Sequence, residues 1–182
     1  MLIGLTGTPG TGKTTVASLL QDKYTVISIN DVAFTQGFVV GKDEQRDTQL
    51  IDVDAINEYL KKTYSSSEES VFVEGHCAHL LDCVEKIIIL RCHPKQLQKR
   101  LQTKNWSDAK IKENAEAEAL DVILCETTEH FEPQDIFEID TTQKTPKQVY
   151  EVIQNIVKSR FASINTYTIG QIDWSEEFFT TS

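Results

Sequence analysis

The apolar residues of this chain fall into short runs separated by longer stretches in which they recur every three or four positions. The runs Leu2–Leu5, Thr25–Ile29, Val71–Glu74, Ile87–Arg91 and Ile136–Asp140 predict strands. The stretches between and after them predict helices over Gly12–Asp22, Asp54–Tyr64, Pro94–Thr103, Ser107–Thr128 and Pro146–Arg160. Alternation of the two is the pattern of βαβ units, so the chain reads as an α/β protein with a parallel sheet. The last helix has the clearest start, with Thr145 as N-cap, Pro146 at the first position and Gln148 closing a capping box. A polar turn, Ser65-Ser66-Ser67-Glu68-Glu69, leads into the third strand. After Arg160 the pattern breaks into a tail, Ala162–Ser182. Its Trp174, Phe178 and Phe179 predict docking on the body or on a partner.

Composition narrows the classes. At 182 residues the chain is long enough for one domain with a core of two or three layers. Apolar residues make up 40% and charged residues 25%, ordinary values for a globular protein. No run approaches the roughly 18 apolar residues needed to cross a bilayer. The first residues enter a strand directly, without a basic region or cleavage site, so no signal peptide is expected. Cys77, Cys83, Cys92 and Cys125 lie among apolar residues with no C-x-x-C pair, which predicts reduced core thiols and a cytoplasmic setting. A net charge of −10 predicts no binding to naked nucleic acid and favours a basic protein as partner.

The sharpest chemical signal joins the first strand to the first helix. Gly7-Thr8-Pro9-Gly10-Thr11-Gly12-Lys13-Thr14 is the phosphate-binding pattern G-x-x-x-x-G-K-[ST] in its strand–loop–helix context. Glycines let successive N–H groups converge on phosphate oxygens, and the following helix points its positive end at the same anion. Gly7, Gly10, Thr11, Gly12, Lys13, Thr14 and Thr15 are therefore the expected nucleotide-binding residues. Lys13 would reach the β- and γ-phosphates of ATP, and the Thr14 hydroxyl would ligate Mg²⁺.

Further along, the third strand ends in Glu74-Gly75-His76. Glu74 stands where such proteins hold the Mg²⁺ shell, the alternative being a solvated strand-end glutamate. His76 could hold a water or hydroxyl in line for attack, and His79 follows it; either could instead be satisfied by local hydrogen bonds. His76, Cys77, His79 and Cys83 supply zinc-ligand types, but their spacing matches no standard structural site. A second cationic segment, Lys99 to Trp106, carries Arg100 and Lys104 four apart, suited to close over phosphates, or else a solvated basic patch. Between the second strand and its next helix lies Asn30–Val53, polar, with at most a short helix over Asp31–Phe38, a length that suggests function.

With these parts in place the chain resembles the nucleoside monophosphate kinases, and more narrowly the adenylate kinase 6 or CINAP family in its archaeal form. The resemblance covers about residues 1–160. It rests on GTPGTGKTT at residues 7–15, on Glu74-Gly75-His76, and on Arg100-Leu101 through Trp106 to Lys110-Ile111-Lys112-Glu113-Asn114. The segment Gly170-Gln171-Ile172-Asp173-Trp174-Ser175-Glu176-Glu177 also looks like a tail carried by archaeal members.

The resemblance implies a P-loop three-layer sandwich on a five-stranded parallel sheet, an AMP-binding region at residues 30–53, a short lid at 103–113 and a tail at 161–182. It implies phosphorylation of AMP by Mg·ATP with slow ATP hydrolysis. Taken with the residues above, Lys13, Glu74, His76, Arg100 and Lys104 are the expected catalytic residues, Lys104 also binding the nucleotide, and Thr14 and Glu74 are expected to hold Mg²⁺. It also implies a role in small ribosomal subunit maturation through a basic small-subunit ribosomal protein. Two positions depart from the family. Phe34 stands where such kinases often place an arginine for the acceptor phosphate. Lys104 stands in place of the lid arginine and cannot form its bidentate fork. Two functions follow, an adenylate kinase and a nucleotide-gated assembly ATPase.

Overall fold

The computed structural model describes every residue except 45–47, 65–66, 68, 163–164 and 177–182. Strands β1 (Leu2–Thr6), β2 (Thr25–Ser28), β5 (Val71–Glu74), β6 (Lys86–Arg91) and β7 (Ile136–Asp140) form a sheet in the order β2-β5-β1-β6-β7. Its pairings are all parallel. Helices α1 (Lys13–Leu20), α2 (Ile29–Gln36), α3 (Val53–Tyr64), α4 (Pro94–Gln102), α5 (Asp108–Ala119), α6 (Val122–His130) and α7 (Pro146–Lys158) connect or flank them.

The pleat sends successive side chains to opposite faces, so an apolar run builds two cores at once. Leu2, Val71, Val73, Ile87 and Ile89 bury one face against Ile29 and Val32 of α2 and Ile56 and Leu60 of α3. Ile3, Leu5, Phe72, Ile88 and Leu90 bury the other against Val16 and Leu20 of α1 and Val149, Ile153 and Ile156 of α7. Each fully buried aliphatic side chain contributes about 1.5–3 kcal/mol of transfer free energy. Strand order reverses at β1, the point where an open α/β sheet leaves a crevice beyond the carboxyl ends of its strands. The expected capping box is present at α7: the Thr145 side chain accepts from the Gln148 amide, and the Gln148 side chain accepts from the Thr145 amide at 2.8 Å.

Several expectations need correction. The stretch read as one helix, Ser107–Thr128, is two helices, α5 and α6, broken at Asp121, whose φ of 55° is left-handed. The side chain of Asp121 is taken by Arg91 at the end of β6, so a tertiary ion pair ends the helix where the local pattern would continue it. The polar insertion is more ordered than a loop: β3 (Val39–Asp43) and β4 (Thr48–Ile51) pair as an antiparallel hairpin after α2. Of the four cysteines, Cys77 and Cys92 are buried, Cys83 is half-buried, and Cys125 is exposed on α6 rather than in the core. All four are free thiols.

The tail docks on the body through Trp174, whose ring lies 5.2 Å from the Arg91 guanidinium carbon. Phe178, Phe179 and most of the Ser65–Glu69 turn fall outside the described residues. Among the described residues no helix is long and apolar enough to cross a membrane.

Candidate nucleotide site

The loop between β1 and α1 closes on its own backbone. Gly7 has φ 140°, and a Cβ there would lie 2.3 Å from the Leu90 carbonyl oxygen, so only glycine fits. Gly12, at φ 105°, turns the chain into α1. The Thr8 carbonyl accepts from the Thr11 amide at 3.2 Å, the Thr11 hydroxyl at 2.9 Å and Lys13 Nζ at 3.1 Å. Lys13 Nζ also donates to the Gly7 carbonyl at 2.6 Å. Lys13 is only 8% exposed, and desolvation lowers its pKa to about 8 against the opposing pull of Glu74 and Glu118. A buried ammonium held by two carbonyls inside a ring of glycine turns is suited to an anion. Gly10, Gly12, Lys13, Thr14 and Thr15 line the cleft, while the Thr11 hydroxyl and the Gly7 turn shape the loop from within.

Glu74 ends β5 beside this loop, nearly buried, and its Oε1 accepts from the Thr14 hydroxyl at 3.1 Å. Two adjoining hard oxygen donors at the mouth of a phosphate loop fit Mg²⁺, which takes few protein ligands and completes its shell from phosphate and water. Among the described residues no group of three or more His, Cys, Asp or Glu side chains is gathered as metal ligands would be, His76, Cys77, His79 and Cys83 included.

The two histidines part ways. His76 is exposed to the cleft, and desolvation there, then the Lys13 charge, hold its pKa below the usual value. Neutral at physiological pH, its ring can accept a proton. His79 is buried between the Thr6 hydroxyl (3.2 Å to Nδ1) and Glu126 Oε2 (2.9 Å to Nε2), satisfied by local hydrogen bonds.

Arg100 and Lys104 both line the cleft from the end of α4 and the turn beyond it. The Arg100 guanidinium bonds the Thr141 hydroxyl at 3.1 Å, the Thr141 carbonyl at 2.7 Å and the Thr142 carbonyl at 3.3 Å, turned onto the segment between β7 and α7. Lys104 sits 5.4 Å from the Trp106 ring centre, and Lys110 of α5 lies 4.5 Å from the same ring. Trp106 packs on a small core of its own, Cys92, Leu97, Leu101 and Ile111, distinct from the two main cores. The cationic turn thus rides on a separate apolar footing.

These groups share one cleft of about 930 Å³. Beyond the loop its walls are Asn30 and Ala33 of α2, Thr48, Gln49 and Ile51 of the hairpin, Leu80, and Ile123 and Glu126 of α6. Phe34 is not among the lining residues; it is 76% exposed.

Sequence reasoning missed the buried group behind the loop. Arg91, 2% exposed, donates from Nε to Glu118 Oε1 at 2.8 Å and also pairs with Glu138 and Asp121. Glu118 in turn accepts from the Thr8 hydroxyl. The available signal was an arginine closing an apolar strand, since such a residue is rarely buried without partners.

The comparisons agree with this geometry. A family model described as "AAA domain" matches residues 3–121. A protein named "Putative adenylate kinase" from Natronomonas pharaonis is 37% identical over 97% of this chain and 99% of its own length. One of the same name from Archaeoglobus fulgidus is 39% identical over 97% and 93%. Among solved structures, TT1252 from Thermus thermophilus aligns at TM-score 0.58 and 15% identity over 90% of this chain and 98% of its own. Shikimate kinase from Acinetobacter baumannii, in complex with shikimate, gives 0.58 and 15% over 87% and 93%. At that identity the structures speak for the fold alone, and the sequence relatives carry the kinship. A phosphate loop on β1, a carboxylate ending β5 and near full-length likeness to those relatives lead to one conclusion: the chain belongs to the P-loop nucleoside monophosphate kinase family.

Proposed function

We propose that this protein is an adenylate kinase, moving the γ-phosphoryl group of Mg·ATP to AMP to give two ADP. The observation that carries the reading is one cleft of about 930 Å³ in which the phosphate loop, the Thr14–Glu74 pair, Arg100 and Lys104 share their walls with residues of the 30–53 region. The domain would span residues 1–160, with the acceptor region at 30–53, the lid at 103–113 and a tail at 161–182. Transfer of a phosphoryl group needs little covalent help from the protein, so positioning and electrostatics carry the rate.

In this reading Lys13 and the loop amides hold the β- and γ-phosphates of ATP. Arg100 leaves the Thr141 and Thr142 carbonyls to join Lys104 over the transferring group, excluding water. Thr14 and Glu74 would hold Mg²⁺, which would supply neutralisation of phosphate charge when bound. The apolar walls Ala33, Ile51, Leu80 and Ile123 take the acceptor base.

The test is an acceptor screen with Mg·ATP and AMP, CMP, UMP or GMP in turn, against ATP alone. Acceptor-dependent ADP formation, strongest with AMP, is the expected outcome. ADP formed at the same rate without acceptor would overturn the kinase assignment.

A second reading is a nucleotide-gated assembly ATPase that grips a basic small-subunit ribosomal protein, with His76 holding the attacking water. The exposed Phe34 favours it, because no cation stands at that position for an acceptor phosphate. The two activities are compatible in one protein.

A further inference from the structure

The buried charges behind the phosphate loop reach all the way to the C-terminal segment. The Thr8 hydroxyl donates a hydrogen bond to Glu118 Oε2. Glu118 Oε1 accepts from Arg91 Nε at 2.8 Å and from the Cys92 amide at 3.0 Å, so both carboxylate oxygens are engaged. Arg91 Nη2 donates to the Glu118 carbonyl at 3.2 Å, and Nη1 pairs with Glu138 Oε1. The other oxygen of Glu138 accepts from the Gly170 amide at 2.9 Å. Trp174 then covers the guanidinium, its ring 5.2 Å from the Arg91 carbon and 5.7 Å from the His93 ring. Loop, α5, β6, β7 and tail are joined by an unbroken run of hydrogen bonds and one stacked ring.

We propose that Glu118 is a positioning residue for the phosphate loop and that the Gly170–Trp174 segment holds it in register through Arg91. The inference rests on the loop being the ATP site, and not on which acceptor is used. Thr8 is the pivot, because its carbonyl takes the Thr11 amide, the Thr11 hydroxyl and Lys13 Nζ. Fixing its side chain therefore fixes the lysine that meets the phosphates. Trp174 acts by keeping water from a guanidinium that is 2% exposed. In low dielectric the Arg91–Glu118 bond is strong and directional, and admitting water would loosen it. Linkage is reciprocal, so a tail that favours the ATP-ready loop must itself be tightened by ATP.

The experiment measures Mg·ATP and AMP affinity by calorimetry on the full chain, with Thr8→Val, Thr8→Ser, Glu118→Gln and Trp174→Leu beside wild type. Thr8→Val cuts the relay at the loop while leaving the partners of Arg91 in place, so it serves where Glu118→Gln does not fold. Loss of a hydrogen bond to a charged group predicts ATP affinity weakened about tenfold in Thr8→Val and Glu118→Gln, with Thr8→Ser close to wild type. AMP affinity should stay within about twofold, since a loop contact addresses the donor site. Trp174→Leu should weaken ATP about threefold, and combined with Thr8→Val it should add little, as members of one relay do. Hydrogen exchange of the Gly170 amide in wild type should slow on ATP binding by the same factor.

Equal losses for ATP and AMP, or Trp174→Leu binding ATP as wild type does while Gly170 exchange ignores ATP, would overturn the proposal. A wild type that binds Mg·ATP yet phosphorylates no monophosphate would sink the kinase reading instead, and the loop–tail linkage would still be read from the ATP constants.

Discussion

Single residues decide most of the chemistry, and Lys13 is the most informative of them. Its burial holds the ammonium near pKa 8, well below a free lysine. The sign follows directly. Below about pH 8 the folded protein carries a desolvated charge at a cost, and that cost is relieved as pH rises from 8 towards 10.5. ATP needs the charged form. Binding should therefore take up a proton above pH 8, with affinity falling up to about tenfold per pH unit. Calorimetry at roughly pH 7 and pH 9.5, in buffers of different ionisation enthalpy, checks this. A flat affinity with no proton uptake would mean that Lys13 does not meet the phosphates.

His76 offers a second test at this scale. His76→Ala should lower ATP hydrolysis without acceptor more than it lowers AMP phosphorylation, because only hydrolysis requires a positioned water. Parallel loss in both assays would assign the ring to support of the β5 end. Both residues stand out in the sequence because a phosphate loop and a strand-end Glu-x-His tie residue type to fixed spacing, and both line the cleft.

Elements were legible where their signals are local. The five strands announce themselves as apolar runs, and α7 as Thr145, Pro146 and Gln148 in order. The α5–α6 break was not legible, because it comes from Arg91, some 30 residues earlier in the chain, drawing in Asp121. Nor was the β3–β4 hairpin, whose strands, among the described residues, pair with each other apart from the main sheet and show little apolar alternation. The cap at α7 gives a clean prediction. Thr145→Ala removes the acceptor of the Gln148 amide and should lower stability by about 1 kcal/mol. Urea unfolding would show a shifted midpoint with unchanged slope. Nucleotide affinity should not move, because α7 buries its apolar face on the sheet side away from the chamber. A loss of ATP binding in this variant would place α7 in the site.

At the scale of the whole molecule, charge separates partners that the fold alone does not. The chain carries 28 acidic and 18 basic side chains, net −10. Several of the basic groups are already committed: Lys13 inside the loop, Arg91 among three carboxylates, Lys104 and Lys110 beside Trp106. Binding of bare RNA depends on basic side chains releasing counterions from phosphates, which such a surface opposes. A basic protein meets the opposite field, so its association should be fast and should weaken steeply between low and moderate salt, as the Debye length shortens. Titrating the full chain against an RNA fragment and against basic small-subunit ribosomal proteins at two salt concentrations separates the cases. Salt-sensitive binding to one of the proteins, with RNA inert, is the expected result. Tight binding to RNA alone would overturn the assembly reading, and binding to neither would leave the kinase standing by itself.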